Sequence, residues 1–428
     1  MKSSKNNFGF ITIWLLAIIP VVLWFSVPNI ERFNNWQTTF LSIAQLTALM
    51  GYSLFAINLF LSARLKFLEK YFKGLNDLYK KHSFFGKLAI IFLVFHFIFL
   101  NIAYYPNSLE NVYSFSVNAQ LGLGLGELAL FSSIAIIALT IFWRPRFDVW
   151  KRIHQLFGIA FIIATFHMLL VPTSITSYPP IRIYLLTIGI IAIVAYVYRT
   201  VLGKFLVPRH KFEIHQITKL PSNVISIVLK PVKEKMNFTA GQFGFIHILG
   251  KIIKDEEHPF SFTSDPNSEE LSLAIKQVGD YTKELDKLEI GTPVEVEGPF
   301  GIFSYKNSKH TNQIWIAGGI GITPFLSMLQ DIKNESNYKV DLYYCVKNES
   351  EAVFLDQISN LAKTVRVIPF YSEKEGHITA TEIAKRSNGL ENKDIFVCAP
   401  PAMIKDLKKQ FISLGVNPDS IKSEEFEL

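Results

Sequence analysis

The sequence predicts a multi-domain membrane protein: a six-helix transmembrane bundle, then an antiparallel β-barrel domain and an α/β domain. Three observations predict it. Apolar stretches near the length needed to span a bilayer recur six times before residue 205 and are absent after it. Charge separates at the same place: residues 1–205 hold 17 Lys+Arg and 6 Asp+Glu, net +11, while residues 206–428 hold 26 and 30, net −4. From about residue 212 the apolar residues alternate in short runs, and in the last third strand and helix patterns alternate.

Composition narrows the class. The 428 residues suit two to three domains, expected at 1–205, 206–305 and 306–428. With 23 Gly, 19 Pro and 2 Cys, the chain is neither disordered, collagen-like nor a disulfide scaffold. The overall charge of +7 does not imply nucleic acid, because the whole excess sits in the apolar half. The expected partner there is a lipid bilayer.

The six stretches are about 10–27, 39–61, 85–103, 121–143, 153–171 and 181–201. The first is too long for a signal-peptide core and lacks a small-residue cleavage site, so it reads as a retained helix. The loops set orientation. Lys2 and Lys5 precede the first stretch. Arg64, Lys66, Lys70, Lys73, Lys80, Lys81 and Lys87 lie between or just inside the second and third. Arg144, Arg146, Lys151 and Arg152 lie between the fourth and fifth, and Arg199 and Lys204 end the sixth. These are 15 of the 17 basic residues, all on one face, which the positive-inside rule assigns to the cytoplasm. Arg32, Arg182, Glu31 and Glu110 fall on the other side. An even helix count places residues 206–428 in the cytoplasm with the N-terminus.

The apolar half contains four histidines: His82, His96, His154 and His167. They start and centre the third and fifth stretches, which run in the same direction, so His82 pairs with His154 in depth and His96 with His167. Ionisable groups at membrane depth are functional candidates. Fourteen residues separate His82 from His96, or about 21 Å along a helix and nearly four turns. The 13-residue spacing of His154 and His167 departs from a common face of an ideal helix. Two depths with one imidazole from each helix suit two b-type haems with bis-histidine ligation, an arrangement for electron transfer. The other reading is histidines satisfied within the bundle or in a proton relay. No CxxCH occurs, which excludes covalent c-type haem. Gly122, Gly124 and Gly126 open the fourth stretch with no strand before them, so they read as close helix packing and not as a nucleotide loop.

In the charged half, FEIHQI, VISIVLK and FGFIHIL read as strands of a small antiparallel barrel. HPFSFTS spans 258–264. LSLAIKQVGDYTKEL then runs from strand to turn to helix, with Gly279, Asp280, Tyr281 and Thr282 at a helix start suited to a pyrophosphate. In IWIAGGIGITPFLSML a strand meets a glycine-rich turn (Gly318, Gly319, Gly321, Thr323, Pro324) and a helix. Such a turn lets backbone approach phosphates, and a plain tight turn is the alternative. Lys347 ends a second strand and could meet a 2′-phosphate, favouring NADPH over NADH, or be simply solvated. Cys398 lies in a later strand and turn.

HPFSFTS, IKQVGDYT, EGPFG, GGIGITP and VCAPPAM, in this order, resemble the ferredoxin-NADP reductase type dehydrogenase module. Joined to six helices with paired histidines, the chain is similar to the ferric reductase and NADPH oxidase superfamily, in particular its compact bacterial members. The resemblance covers essentially residues 1–428 and implies the following. The barrel binds FAD through His258, Pro259, Phe260, Ser261, Thr263 and Ser264. Lys276, Gly279, Asp280, Tyr281 and Thr282 hold its phosphates. GGIGITP holds the nicotinamide nucleotide. Cys398 lies near the nicotinamide, although Ala399 stands where the family usually has Gly. Phe426 covers the flavin, with Leu428 ending the chain. From the residues alone, Phe260, Phe262 and Phe426 are equally readable as core aromatics, and Cys398 and Cys345 as buried thiols.

The implied function carries electrons from NAD(P)H through FAD and two haems to an acceptor outside, with FAD required between a two-electron donor and one-electron haems. The acceptor is expected to be oxygen, reduced to superoxide, or else a ferric or other metal chelate. A reading of another class is a haem-free transporter or receptor with a nucleotide-sensing module. No obligate protein partner is expected, and the site of action is the bacterial inner membrane.

Overall fold

The computed structural model describes residues 8–105, 117–143, 146–171, 173–250, 253–333, 335–359, 361 and 364–425. Lys2, Lys5, Glu110, Arg144, Phe426 and Leu428, on which expectations above rest, lie outside the described residues. The chain forms two compact units, Met1–Val207 and Pro208–Leu428.

The first unit is helical: α1 Phe8–Trp24, α2 Trp36–Leu61, α3 Leu75–Tyr104, α4 Val117–Ala138, α5 Phe147–Gln155, α6 Phe157–Leu170 and α7 Pro179–Tyr196. α4 and α7 run on through short π-helical turns to Trp143 and Val201. Among the described residues, five spans are long and apolar enough to cross a membrane, with Asp148–Leu170 counted as one. The expected first span is a shorter apolar helix of 17 residues. It stops at Trp24, three residues earlier than the apolar run, because Val27 precedes Pro28, a position that disfavours helical backbone, and Asn29 turns the chain at φ 55°. At about 25 Å it falls short of the ~30 Å hydrocarbon core. α2 starts on a capping box: Asn35 accepts from the Thr38 amide at 2.8 Å, and Thr38 accepts from the Asn35 amide at 3.0 Å. Its middle, from Gly51 to Leu59, is buried throughout. By contrast Leu15 and Val22 on α1, and Ile183 and Val194 on α7, are exposed, as befits surfaces that face lipid.

The second unit begins with an antiparallel six-stranded sheet: β1 His210–Leu220, β2 Val224–Pro231, β3 Phe243–Ile248, β4 Glu257–Ser261, β5 Leu271–Lys276 and β6 Pro293–Phe300. Its order is β4-β3-β6-β1-β2-β5. This corrects the expected barrel: the sheet is open. β4 and β5 are its edges, and the segment after β4 meets β5 through an isolated bridge, Phe262 to Leu273, and a bond from the Ser272 amide to the Ser264 hydroxyl at 3.1 Å. β4 carries Pro259, which lacks the N–H needed to extend a ladder and suits an edge strand. The inward faces hold Phe212, Ile214, Ile225, Ile227, Ile246 and Val296 as one core.

A five-stranded parallel sheet follows, in the order β11-β10-β7-β8-β9. Its strands are β7 Asn312–Gly318, β8 Lys339–Val346, β9 Val365–Tyr371, β10 Asp394–Ala399 and β11 Ile421–Glu425. Every residue of β10 is buried, as both faces of a parallel sheet are covered. The helices named below are α8 Asp280–Glu284, α9 Thr323–Ile332, α10 Ala380–Arg386 and α11 Pro401–Ser413. One face packs Trp315, Phe325, Met328 and Phe396, and the other packs Tyr343, Ile383, Leu407 and Phe411.

Candidate functional site

The four membrane-unit histidines sit on three helices: His82 and His96 on α3, His154 on α5 and His167 on α6. The expected fifth helix is broken between its two histidines. Leu156 donates back to Ile153 at 3.1 Å, a tightened turn, before α6 starts. The 13-residue spacing therefore does not run along one ideal helix.

The rings of His82 and His154 lie 6.0 Å apart between centroids, tilted by 59°. A metal–imidazole bond of about 2 Å on each side leaves room for one iron between them. His154 stacks on Trp150 at 5.0 Å and meets Phe157 edge-on at 5.2 Å. Three of the histidines share a second feature. The Nδ1 atoms of His82, His96 and His167 approach the backbone carbonyls of Asn58, Ala44 and Gly122 at 3.1, 2.9 and 2.8 Å. A carbonyl only accepts, so Nδ1 carries the proton and Nε2 keeps its lone pair. This is how metal-ligating histidines are commonly oriented. The carbonyls on α2 left no trace in the sequence, since every residue has one. The polar Asn58 inside an apolar helix and the Gly122 run were the only signals. Among the described residues no group of three or more His, Cys, Asp or Glu gathers.

In the second unit, HPFSFTS covers the end of β4 and the turn after it. His258 Nε2 lies 2.8 Å from Glu256 Oε2, and its ring stacks on Tyr281 at 4.0 Å. Tyr281 is buried, and burial together with nearby Glu256 and Glu284 pushes its phenol pKa up, so it stays protonated. Ser261, Thr263 and Ser264 are buried as well. The carbonyls of Thr263 and Ser264 are held from the nucleotide side by α9: Gln330 donates to Thr263 O and Ser327 to Ser264 O, both at 2.7 Å. Lys333 adds an ion pair to Asp265 at 3.2 Å. The sequence reading missed Glu256, Ser327 and Gln330.

Lys276 and Gly319, expected to bind different cofactors, line one cleft with Ser222, Ile320, Tyr344 and Phe354. Gly319 has φ +57° and open space where a Cβ would project. Gly318 and Gly321 are required by packing. A Cβ on Gly318 would meet the Ala399 Cβ at 2.8 Å, and one on Gly321 would meet Cys398 O at 2.1 Å. The methyl of Ala399 is thus accommodated by the missing side chain of Gly318. Thr323 is buried with its hydroxyl donated to Ile320 O at 3.0 Å, and Pro324 stands in the first turn of α9.

Other expected residues are committed elsewhere. The amides of Val278 and Gly279 both donate to the Thr282 hydroxyl at 3.0 Å, so the Gly279 amide is already spent in the turn. Asp280 pairs with Lys254 at 2.5 Å. Cys398 is fully buried among core side chains, and burial pushes its thiol well above the usual range. Lys347 is exposed at the end of β8.

Three family models match this chain. A ferric reductase like transmembrane component matches residues 47–165, an FAD-binding domain residues 209–323, and an oxidoreductase NAD-binding domain residues 315–409. "Ferric reduction oxidase 4" of Arabidopsis thaliana is 27% identical over 65% of this chain and 40% of its own length. A superoxide-generating NADPH oxidase heavy chain of Dictyostelium discoideum is 27% identical over 50% of this chain and 32% of its own. The chain spans 61% and 57% of the length of two further curated relatives, and so corresponds to part of each. A solved flavohemoglobin from Malassezia yamatoensis, with bound FAD and heme, is 18% identical with a TM-score of 0.52 over 92% of this chain and 98% of that one. That likeness is one of fold alone.

Proposed function

We propose, for a chain that belongs to the ferric reductase and NADPH oxidase superfamily, that it moves electrons from cytoplasmic NAD(P)H across a membrane to an acceptor outside. It is an oxidoreductase with FAD- and NAD-binding domains and a ferric-reductase-like membrane unit. In our reading the acceptor is oxygen, reduced to superoxide. The single observation that carries the reading is the close pair His82 and His154, with ring centroids 6.0 Å apart.

When bound, FAD takes the electron pair of a hydride and gives up single electrons, which bis-imidazole haem carries one at a time. The side chains do the rest. His82 and His154 would hold the inner haem and His96 and His167 the outer one, with His82, His96 and His167 turned by backbone carbonyls to offer Nε2. His258, Pro259, Phe260, Ser261, Thr263 and Ser264 line the flavin. Lys276 and the turn at 279–282 would hold its phosphates, although the Gly279 amide and the Asp280 carboxylate already have partners, and residues 318–324 would hold those of the nicotinamide nucleotide. As the family resemblance implies, Cys398 would lie by the nicotinamide and Phe426 would cover the flavin, and Lys347 would favour NADPH. The domains are 1–205, 206–305 and 306–428, with six spans including α1, and a cytoplasmic N-terminus in a bacterial inner membrane.

A second reading, ferric-chelate reduction, is favoured by the longer span shared with the plant ferric reduction oxidase, 65% of this chain against 50% for the superoxide-generating relative. A reduced-minus-oxidised spectrum tests the core of the proposal: b-type bands with two haems per FAD are expected, and their absence returns the chain to a haem-free transporter or receptor. Superoxide dismutase then separates the acceptors. Cytochrome c reduction that the dismutase does not inhibit, with fast ferric-chelate reduction, overturns the oxidase reading.

A further inference from the structure

We infer that the glycine face of α4 is a seat for the His167 imidazole, and that Gly122 and Gly126 are positioning residues for the outer haem. The inference rests on the bis-histidine reading above. Three observations converge on it. The carbonyl of Gly122 accepts from His167 Nδ1 at 2.8 Å. A Cβ on Gly126 would fall 2.6 Å from that same Nδ1 and 2.7 Å from Cε1, closer than real Cβ atoms come to ring atoms. A Cβ on Gly122 would meet Val171 at 2.8 Å and the Leu170 Cβ at 3.0 Å, on the turn of α6 that follows His167.

Positions 122 and 126 are four apart and share one helix face, so they form one surface. Gly124 lies off that face and meets nothing within 4 Å. The run thus contains its own control. Gly122 has a particular reason to lack a side chain. Its carbonyl can reach an imidazole on the neighbouring helix only if the two backbones lie close, which a bare Cα permits. The hydrogen bond puts the proton on Nδ1 and turns Nε2 away from α4. The space at Gly126 lets the ring lie flat against the helix instead of being pushed along its own axis. His82 and His96 take their carbonyls from α2, at Asn58 and Ala44. His167 is therefore the histidine of the three whose orientation depends on α4.

The test compares Gly126→Ala and Gly124→Ala in the purified full chain. The readouts are haem per FAD, the low-temperature α band and the redox titration of the two haems. Gly126→Ala is expected to lower haem from two to one per FAD, or to shift one of the two resolved haem components, while Gly124→Ala keeps both. FAD content and NAD(P)H–ferricyanide activity, expected to be unchanged in both, report that each variant is folded. Two unchanged haem components in Gly126→Ala overturn the inference, and so does an equal disturbance by Gly124→Ala, which would mark general helix packing. Absence of b-type haem from the unsubstituted protein overturns the proposed function itself, a separate result.

Discussion

His82 on α3 and His154 on α5 face one another with ring centroids 6.0 Å apart, although they belong to different apolar segments of the chain. A shared haem site, as proposed, would give this pair an unusual genetic signature. His82→Ala or His154→Ala should each lower haem content from two to one per chain. The double variant His82→Ala/His154→Ala should lose no more, since either change already empties the same site. His82→Ala/His96→Ala, by contrast, should lose both haems. Haem quantified against FAD checks this, and a double variant of the facing pair with no haem at all would break the pairing.

The outer pair makes the complementary case. His96→Ala or His167→Ala should leave reduction of the flavin by NAD(P)H intact and stop transfer to an impermeant acceptor. Stopped-flow bleaching of the flavin, beside reduction of that acceptor by intact vesicles, separates the two steps. A normal outward rate would remove the two-haem path.

The hydrogen bonds from Ser327 and Gln330 tie the turn after β4 to α9. Ser327→Ala leaves the buried Ser264 carbonyl without that donor, at a cost of about 1–3 kcal/mol. Lys333→Ala removes a partly exposed ion pair with Asp265 and should cost under about 1 kcal/mol. Midpoints of thermal unfolding, followed by release of FAD fluorescence, should fall clearly for the first and barely for the second.

Gly321 has no room for a methyl group, because Cys398 O would lie 2.1 Å away and belongs to a central strand. Gly321→Ala should therefore push the turn off β10 and weaken NAD(P)H binding at least tenfold, seen as a raised KM, while FAD remains bound. An unchanged KM would show that the turn does not set nucleotide affinity.

Asp394 gives a pH dependence. Burial acts to raise its pKa, but the Ser308 hydroxyl and the amides of His310 and Lys309, with Lys422 nearby, outweigh it and hold the carboxyl below its usual value. A folded pKa below the unfolded one means that the stabilisation is complete above the ordinary carboxyl value of about 3.9. It is lost as pH falls through the lower folded value. Asp394→Asn should lower the unfolding midpoint at pH 7 and flatten its decline in acid. A parallel acid decline in both proteins would assign that decline to other carboxylates.

Much of the candidate site was legible because some residue types are costly where they stand. Four histidines in apolar stretches announce themselves, since burying them in hydrocarbon demands a compensating use. The glycines at 318, 319 and 321 are legible for a like reason: a strand, a glycine turn and a helix leave few other structures. The clamp by Ser327 and Gln330 was not legible, because serine and glutamine are ordinary on any helix until their partners are known. The acceptor carbonyls of Ala44 and Asn58 were invisible because backbone chemistry is the same at every residue.

Two expectations were changed by three-dimensional geometry. The antiparallel strands were expected to close into a barrel, yet β4 and β5 remain edges. Closure depends on accumulated twist and on edge pairing, and Pro259 cannot donate on an edge. The first apolar stretch was expected to run on to residue 27, but its helix ends at Trp24 before Pro28.

The sequence alone established the division into an apolar basic half and a charged half and the helix and strand patterns of each, and it marked histidines and glycines as candidates. These follow from composition and periodicity, which are properties of neighbours along the chain. Only the tertiary structure decided that Gly122 and Gly126, and not Gly124, meet His167, and that Gly318 makes room for Ala399. The reason is that a close approach is fixed by the phase of one element against another, and no local pattern records that phase.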